Sequence, residues 1–155
     1  MEKENNAGDN SSKSIKLERV RALAGLNEEE RRVILYNSLA KMQAELPVVL
    51  KNAKGFNYKY ADFSEVVMVS RPILSKYGLF VIQFVDSLNK DFLILETRVC
   101  HYCGAYIQSR IPLIVNEDGK NQNKLQRYGA AITYLKRYQY CAMLGIVTDD
   151  DSNGK

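Results

Sequence analysis

Residues 77–115 read YGLFVIQFVDSLNKDFLILETRVCHYCGAYIQSRIPLIV, and the fold is decided there. Three apolar runs stand in it: Leu79 to Val85, Asp91 to Val99, and Ala105 to Val115. All are rich in β-branched and aromatic residues, which fit a pleated strand. The turns between them, Asp86 to Lys90 and Tyr102 to Gly104, are too short to hold a crossover helix. Short connections predict an antiparallel meander of three strands. In the third run Ile107, Ile111 and Leu113 alternate with Gln108 and Arg110, which predicts one buried and one exposed face. Pro112 has no N–H to give to a ladder, so it belongs on an edge strand or at a bulge.

Helical patterns bracket this run. Upstream, Asn27 reads as an N-cap, with Glu28, Glu29 and Glu30 in the first turn, where carboxylates favour the helix dipole. Val33, Leu35, Tyr36, Leu39, Met42, Ala44 and Leu46 carry the helix to about Glu45, and Pro47 ends or kinks it. Lys51 to Tyr60 reads as a loop entering a short extended piece, with Phe56, Tyr58 and Tyr60 alternating. Asp62 or Ser64 can cap a second helix with Val66, Val67, Val69, Ile73 and Leu74 on its apolar face. Pro72 is expected to kink or break it, and Gly78 to close it.

Downstream, Asn116 to Asn121 is a polar turn, and Gln122 to Leu144 a long helix ended by Gly145. On a 100° wheel Leu125, Tyr128, Ile132, Leu135, Ala142 and Met143 share one side. Arg127, Ala130, Tyr134, Arg137 and Tyr138 share another. The expected class is α+β: a three-stranded meander packed on a long C-terminal helix, with N-terminal helices. Residues 1–26 form a disordered or weakly helical leader, 27–148 the core domain and 149–155 an acidic tail.

The chain has 155 residues, 46% of them hydrophobic, which supports a packed core and excludes full disorder. No apolar run reaches the ~20 residues that span a bilayer. The polar N-terminus does not read as a signal peptide, so the expected compartment is the cytoplasm. Three cysteines argue against a disulfide framework. The net charge of +4 is unevenly spread. Residues 1–45 hold eight basic and eight acidic side chains. Residues 119–148 hold Lys120, Lys124, Arg127, Lys136 and Arg137 and no acid, and Pro47 to Ala61 holds Lys51, Lys54 and Lys59 and no acid.

The sequence offers little catalytic chemistry. It has no phosphate-cradling glycine loop, and its single histidine, His101, cannot assemble a triad. Asp149, Asp150 and Asp151 are consecutive, whereas a carboxylate metal site gathers oxygens from several places. A nuclease working through them with magnesium is the enzymatic alternative. Cys100 and Cys103 form a lone CxxC between strands, which reads as two cysteines flanking a hairpin turn. What remains is cations interleaved with aromatics. Cations track phosphate and rings stack on bases when a protein holds a single strand. Tyr58 and Tyr60 bracket Lys59, and Tyr134 and Tyr138 flank Lys136 and Arg137. These tyrosines are either core residues or groove residues.

The stretch Gly129 to Asp151 (GAAITYLKRYQYCAMLGIVTDDD) resembles the hallmark of the Erf family of phage single-strand annealing recombinases. Further motifs occur in the family's order: Tyr58-Lys59-Tyr60-Ala61-Asp62, Lys76 with Gly78-Leu79, His101 with Gly104, and Ile111-Pro112-Leu113. The resemblance covers about Asn37 to Asp151. It implies ATP-independent binding of single-stranded DNA and annealing of complementary strands in phage or prophage recombination, with no cofactor and no covalent step. It also implies a core like that of the eukaryotic annealing mediators, assembled into rings or filaments. Family members often continue into a C-terminal region, where contacts with a host single-strand binding protein are expected. By resemblance, Lys59, Arg127, Lys136 and Arg137 are candidate phosphate contacts, and Tyr58, Tyr60, Tyr134 and Tyr138 are positions of interest beside them. The alternative is a passive module that binds single strands or a protein without annealing.

Overall fold

The computed structural model describes residues 22–46, 63–89, 92–115 and 123–146. The expectations for residues 1–21 of the leader, Pro47, the Lys51–Tyr60 loop, Asp62, the Asn116–Asn121 turn and Asp149–Asp151 lie outside them. The element order is α1 (Glu28–Glu45), α2 (Phe63–Lys76), β1 (Leu79–Asn89), β2 (Phe92–His101), β3 (Tyr106–Pro112) and α3 (Lys124–Leu144). Residues 22–24 are also helical, ahead of α1.

α1 begins at the expected cap. The Asn27 side chain accepts from the Glu30 N–H at 2.9 Å, and the Glu30 carboxylate accepts from the Asn27 N–H at 2.8 Å. Glu30 therefore closes a capping box in addition to its place near the helix dipole. α2 runs through Pro72 without breaking. Pro72 and Met68, whose carbonyl would have received the missing N–H, both lie on the exposed side. Ser64 lies within α2, so it is not the cap.

The sheet is an antiparallel meander of order β1-β2-β3. β1 is longer than its composition predicts: Asp86 to Asn89 continue the strand, because pairing with Phe92–Ile94 outweighs their turn-forming character. Pro112 ends the edge strand β3. The β3 residues alternate as expected, and Ile107 and Ile111 are half-buried.

The core joins Leu35, Leu39 and Met42 of α1 to Val66 and Leu74 of α2, Leu79 and Val99 of the sheet, and Tyr140, Cys141 and Leu144 of α3. Leu79, Val81, Val99 and Ile107 carry this packing on one face of the sheet. On the other face Phe80, Ile82, Phe84 and Tyr106 are exposed. Glu96 is buried there with two arginines on its carboxylate, Arg98 and, at 3.0 Å, Arg110. Two charge-assisted partners offset the cost of burying that carboxylate.

A second junction ties the end of α2 to the β2–β3 turn. Gly78 adopts φ 70 and closes α2 as expected. Any Cβ there would run into the Tyr102 ring and approach His101 Nε2 within 2.9 Å. The Tyr102 N–H donates to the Gly78 carbonyl at 3.1 Å. His101 is buried, and its Nδ1 accepts from the Cys103 N–H at 3.1 Å. Its ring also hydrogen-bonds the Tyr77 backbone. Nδ1 as acceptor fixes the tautomer, leaving the proton on Nε2. Cys100 and Cys103 are buried free thiols, Cys100 in β2 and Cys103 within the turn rather than flanking it, and burial pushes the Cys100 thiol up.

Burial pushes the His101 imidazole below its usual range, because the charged form is desolvated, and the Tyr77 bond opposes this only in part. A proton on Nδ1 would also oppose the Cys103 N–H. The unfolded chain takes up that proton near the ordinary value of 6.5, before the native state does. The stabilisation is thus complete above that value and is lost as pH falls through the depressed native one. Thermal melting from about pH 7.5 to about pH 5.5 is expected to show falling stability. His101→Asn should lower the whole curve and flatten its slope, since the chain has no other histidine.

Candidate nucleic-acid interface

α3 carries most of the residues marked by the sequence, and two caps define it. Asn123 accepts from the Gln126 N–H at 2.8 Å while Gln126 accepts from the Asn123 N–H at 3.1 Å. Gly145, at φ 70, ends it in the left-handed conformation.

The rotation of α3 about its axis is set by polar groups. Gln139 is buried against the sheet. Its Oε1 accepts from Thr97 Oγ1 at 2.7 Å, and its Nε2 donates to the Leu95 carbonyl and Ser109 Oγ, each at 3.3 Å. Gln83 Nε2 donates to Thr97 Oγ1 at 3.0 Å and to the Lys136 carbonyl at 2.8 Å. β2 and β3 therefore hold the helix at Gln139, and β1 holds it one turn earlier at Lys136. With 100° per residue, Tyr128, Ile132 and Leu135 share the Gln139 side, and Arg127, Ala130, Tyr134 and Arg137 point away from the sheet.

Burial follows that geometry. Tyr128, Ile132 and Leu135 are half-buried, while Leu125 is 80% exposed. Met143 is half-buried and Ala142 exposed. The apolar side read from the sequence is therefore only partly covered. The deepest positions are Gln139, Tyr140, Cys141 and Leu144. Tyr140 bonds Ser70 Oγ at 2.8 Å, and burial pushes its phenol up.

On the outward side Tyr134 is 59% exposed and lies against half-buried Tyr138, with ring centroids 4.1 Å apart. Neither ring belongs to the core cluster. Arg137 and Arg127 are half-buried, ten residues apart, about 15 Å along the axis. A groove of about 550 Å³ is lined by Phe63, Gly129, Thr133, Tyr134, Arg137 and Tyr138. Phe63 opens α2 and meets the core edge-on at Tyr140, 5.5 Å between centroids. In sequence it directly follows the Tyr58–Asp62 motif, so the groove wall is continuous in chain with that motif. Tyr58, Lys59 and Tyr60 themselves lie outside the described residues. Lys136 is half-buried on the sheet-facing flank, apart from the Arg127–Arg137 row.

Among the described residues nothing packs where a side chain at Gly129 would stand. A Cβ there meets nothing within 4 Å. Glycine costs about 0.5–1 kcal/mol relative to alanine inside a helix. Gly129→Ala is therefore expected to raise stability by about that amount in a denaturant titration. Gln139→Leu should cost ~1–3 kcal/mol by the same measurement, because it strands the hydroxyls of Thr97 and Ser109.

Among the described residues no helix is long and apolar enough to cross a membrane, and no group of His, Cys, Asp or Glu could hold a metal ion. No curated protein and no solved structure matches the chain. A family model does: the ERF superfamily matches residues 35–155, a span that includes most of α1, the whole sheet and α3. With more than half of its length matched, the chain belongs to the ERF superfamily, known for single-strand annealing in recombination.

Proposed function

We propose that this protein binds single-stranded DNA and anneals complementary strands without ATP, as a self-assembling recombination protein of phage or prophage origin. The observation that carries the reading is the outward side of α3. Tyr134, Arg137 and Tyr138 line one groove there, inside the family's hallmark motif, and Arg127 stands ten residues before Arg137 in the same acid-free stretch. Cations along this row neutralise phosphates and release counterions, while Tyr134 and Tyr138 offer ring faces to bases. Lys59, Tyr58 and Tyr60 extend the contact set, whereas Lys136 lies apart from the row. The bases of a strand held by its backbone stay free to pair, and lowering the repulsion between two such strands speeds their meeting. No bond is made or broken, so the activity is not enzymatic. A host single-strand binding protein and other copies of this chain are the expected protein partners.

The test is annealing of complementary oligonucleotides, with strand binding measured in parallel. Wild-type protein should accelerate annealing at low salt, with the gain shrinking as salt rises. Arg137→Gln should reduce the salt slope of strand binding by about one. Tyr134→Ala should weaken binding by ~1–3 kcal/mol with little change in melting temperature, since the ring is largely solvated. Binding without any gain in annealing rate would overturn the reading and leave a passive module.

A further inference from the structure

Helix interiors disfavour glycine, which loses the most backbone freedom on folding and brings no side chain to pack. Gly129 nevertheless stands inside α3, well clear of both caps. The usual reasons for a glycine do not account for it. Its backbone is ordinary right-handed helix, unlike the positive-φ glycines 78, 104 and 145. The Cβ it lacks would meet no neighbour within 4 Å among the described residues.

Its place in the groove supplies another reason. Gly129, Thr133 and Arg137 form one row along α3 at i, i+4 and i+8, and Ala130, Tyr134 and Tyr138 form the row beside it. Both rows line the groove of about 550 Å³, with Phe63 as a further wall. Each row is bulky at its C-terminal end and bare at its N-terminal end, where Gly129 and Ala130 stand side by side. Along the axis this bare end falls between the two cations: Arg127 is about 3 Å before Gly129 and Arg137 about 12 Å after it. The bare end also has no polar handle to offer. Thr133 Oγ1 donates to the Gly129 carbonyl at 2.9 Å, and the Gly129 N–H belongs to the helix ladder. A phosphate would find no donor there, whereas the carbon face of a sugar would meet only methyl and Cα–H groups.

We infer that the bare helix backbone at Gly129 is a contact point for the DNA strand, where the sugar of one nucleotide rests between the phosphates held at Arg127 and Arg137. This deepens the proposed function and rests on it. The missing Cβ lets the strand come about one carbon–carbon bond nearer the helix axis. At that depth the attached base is level with the Tyr134 ring, which is 59% exposed. A side chain at position 129 would lift the sugar and draw the base off that ring. The helix thus gives up stability at Gly129 for access.

Gly129→Ala and Gly129→Leu test this, since both residues favour a helix more than glycine does. A labelled oligothymidylate is titrated with each full-length protein over a range of salt, and melting is followed on the same samples. Both variants should melt at or above the wild-type temperature. Strand affinity should fall about tenfold for alanine and further for leucine, because each added group overpacks the contact. The salt slope should match the wild type, because no cation has been lost, whereas Arg137→Gln lowers it. Wild-type affinity in either variant would overturn the inference and leave the annealing reading standing. A lower melting temperature for Gly129→Ala would also overturn it, since another part of the chain would then fill the space. A wild-type protein that binds no strand at low salt would overturn the annealing reading, and the inference with it.

Discussion

The rest of the molecule depends on how Gln139 meets the sheet. Thr97, Ser109 and the Leu95 carbonyl bond its amide, and Gln83 adds a bond to the helix backbone at Lys136. An apolar contact in this place would tolerate some rotation of the helix, because burial is non-directional. A satisfied buried amide does not, since a small rotation strands its donors and acceptors. The direction in which Arg127, Tyr134 and Arg137 point is thus decided by residues on the opposite side of the helix.

Much of the fold was legible because its signals are local. The three strand runs, the short turns, the Asn27 cap and the terminal glycines 78 and 145 each act within a few residues. Of the two outcomes expected at Pro72, a kink or a break, the break does not occur, and both Pro72 and Met68 lie on the exposed side of α2. The Gln139 contact was missed because a helical wheel assigns glutamine to water. A signal did exist: Gln83 interrupts the run LFVIQFV at an inward position, and Thr97 and Ser109 fall at inward positions of the neighbouring strands. Three polar residues in line across a sheet call for a polar partner above them.

The candidate site was legible in its chemistry and only partly in its geometry. Arg137, Tyr134 and Tyr138 fall together because a helix repeats every 3.6 residues, which arithmetic alone provides. Lys136, one residue away, is carried to the sheet side by the same repeat. Adjacency in sequence was a poor guide to adjacency on the surface. The share of the helix left uncovered depends on what the helix outruns, and no periodicity encodes that: α3 extends past the end of β3, leaving Leu125 in solvent.

The junction of Gly78, His101 and Tyr102 has a consequence for how the sheet avoids error. A one-residue slip of a strand exchanges its two faces, and an alternating pattern penalises that heavily. β1 is apolar on both faces, so its own pattern penalises a slip weakly. The junction supplies the missing penalty. Leu79 pairs with His101, and the bond from the Tyr102 N–H to the Gly78 carbonyl extends that pairing by one step. Any shift of β1 would push a side chain into the space that only glycine leaves beside Tyr102, and would pull His101 from Tyr77. A strand largely apolar on both sides therefore owes its alignment to one glycine and one imidazole at its start, together with Gln83, whose bonds to Thr97 and Lys136 a slip would also break.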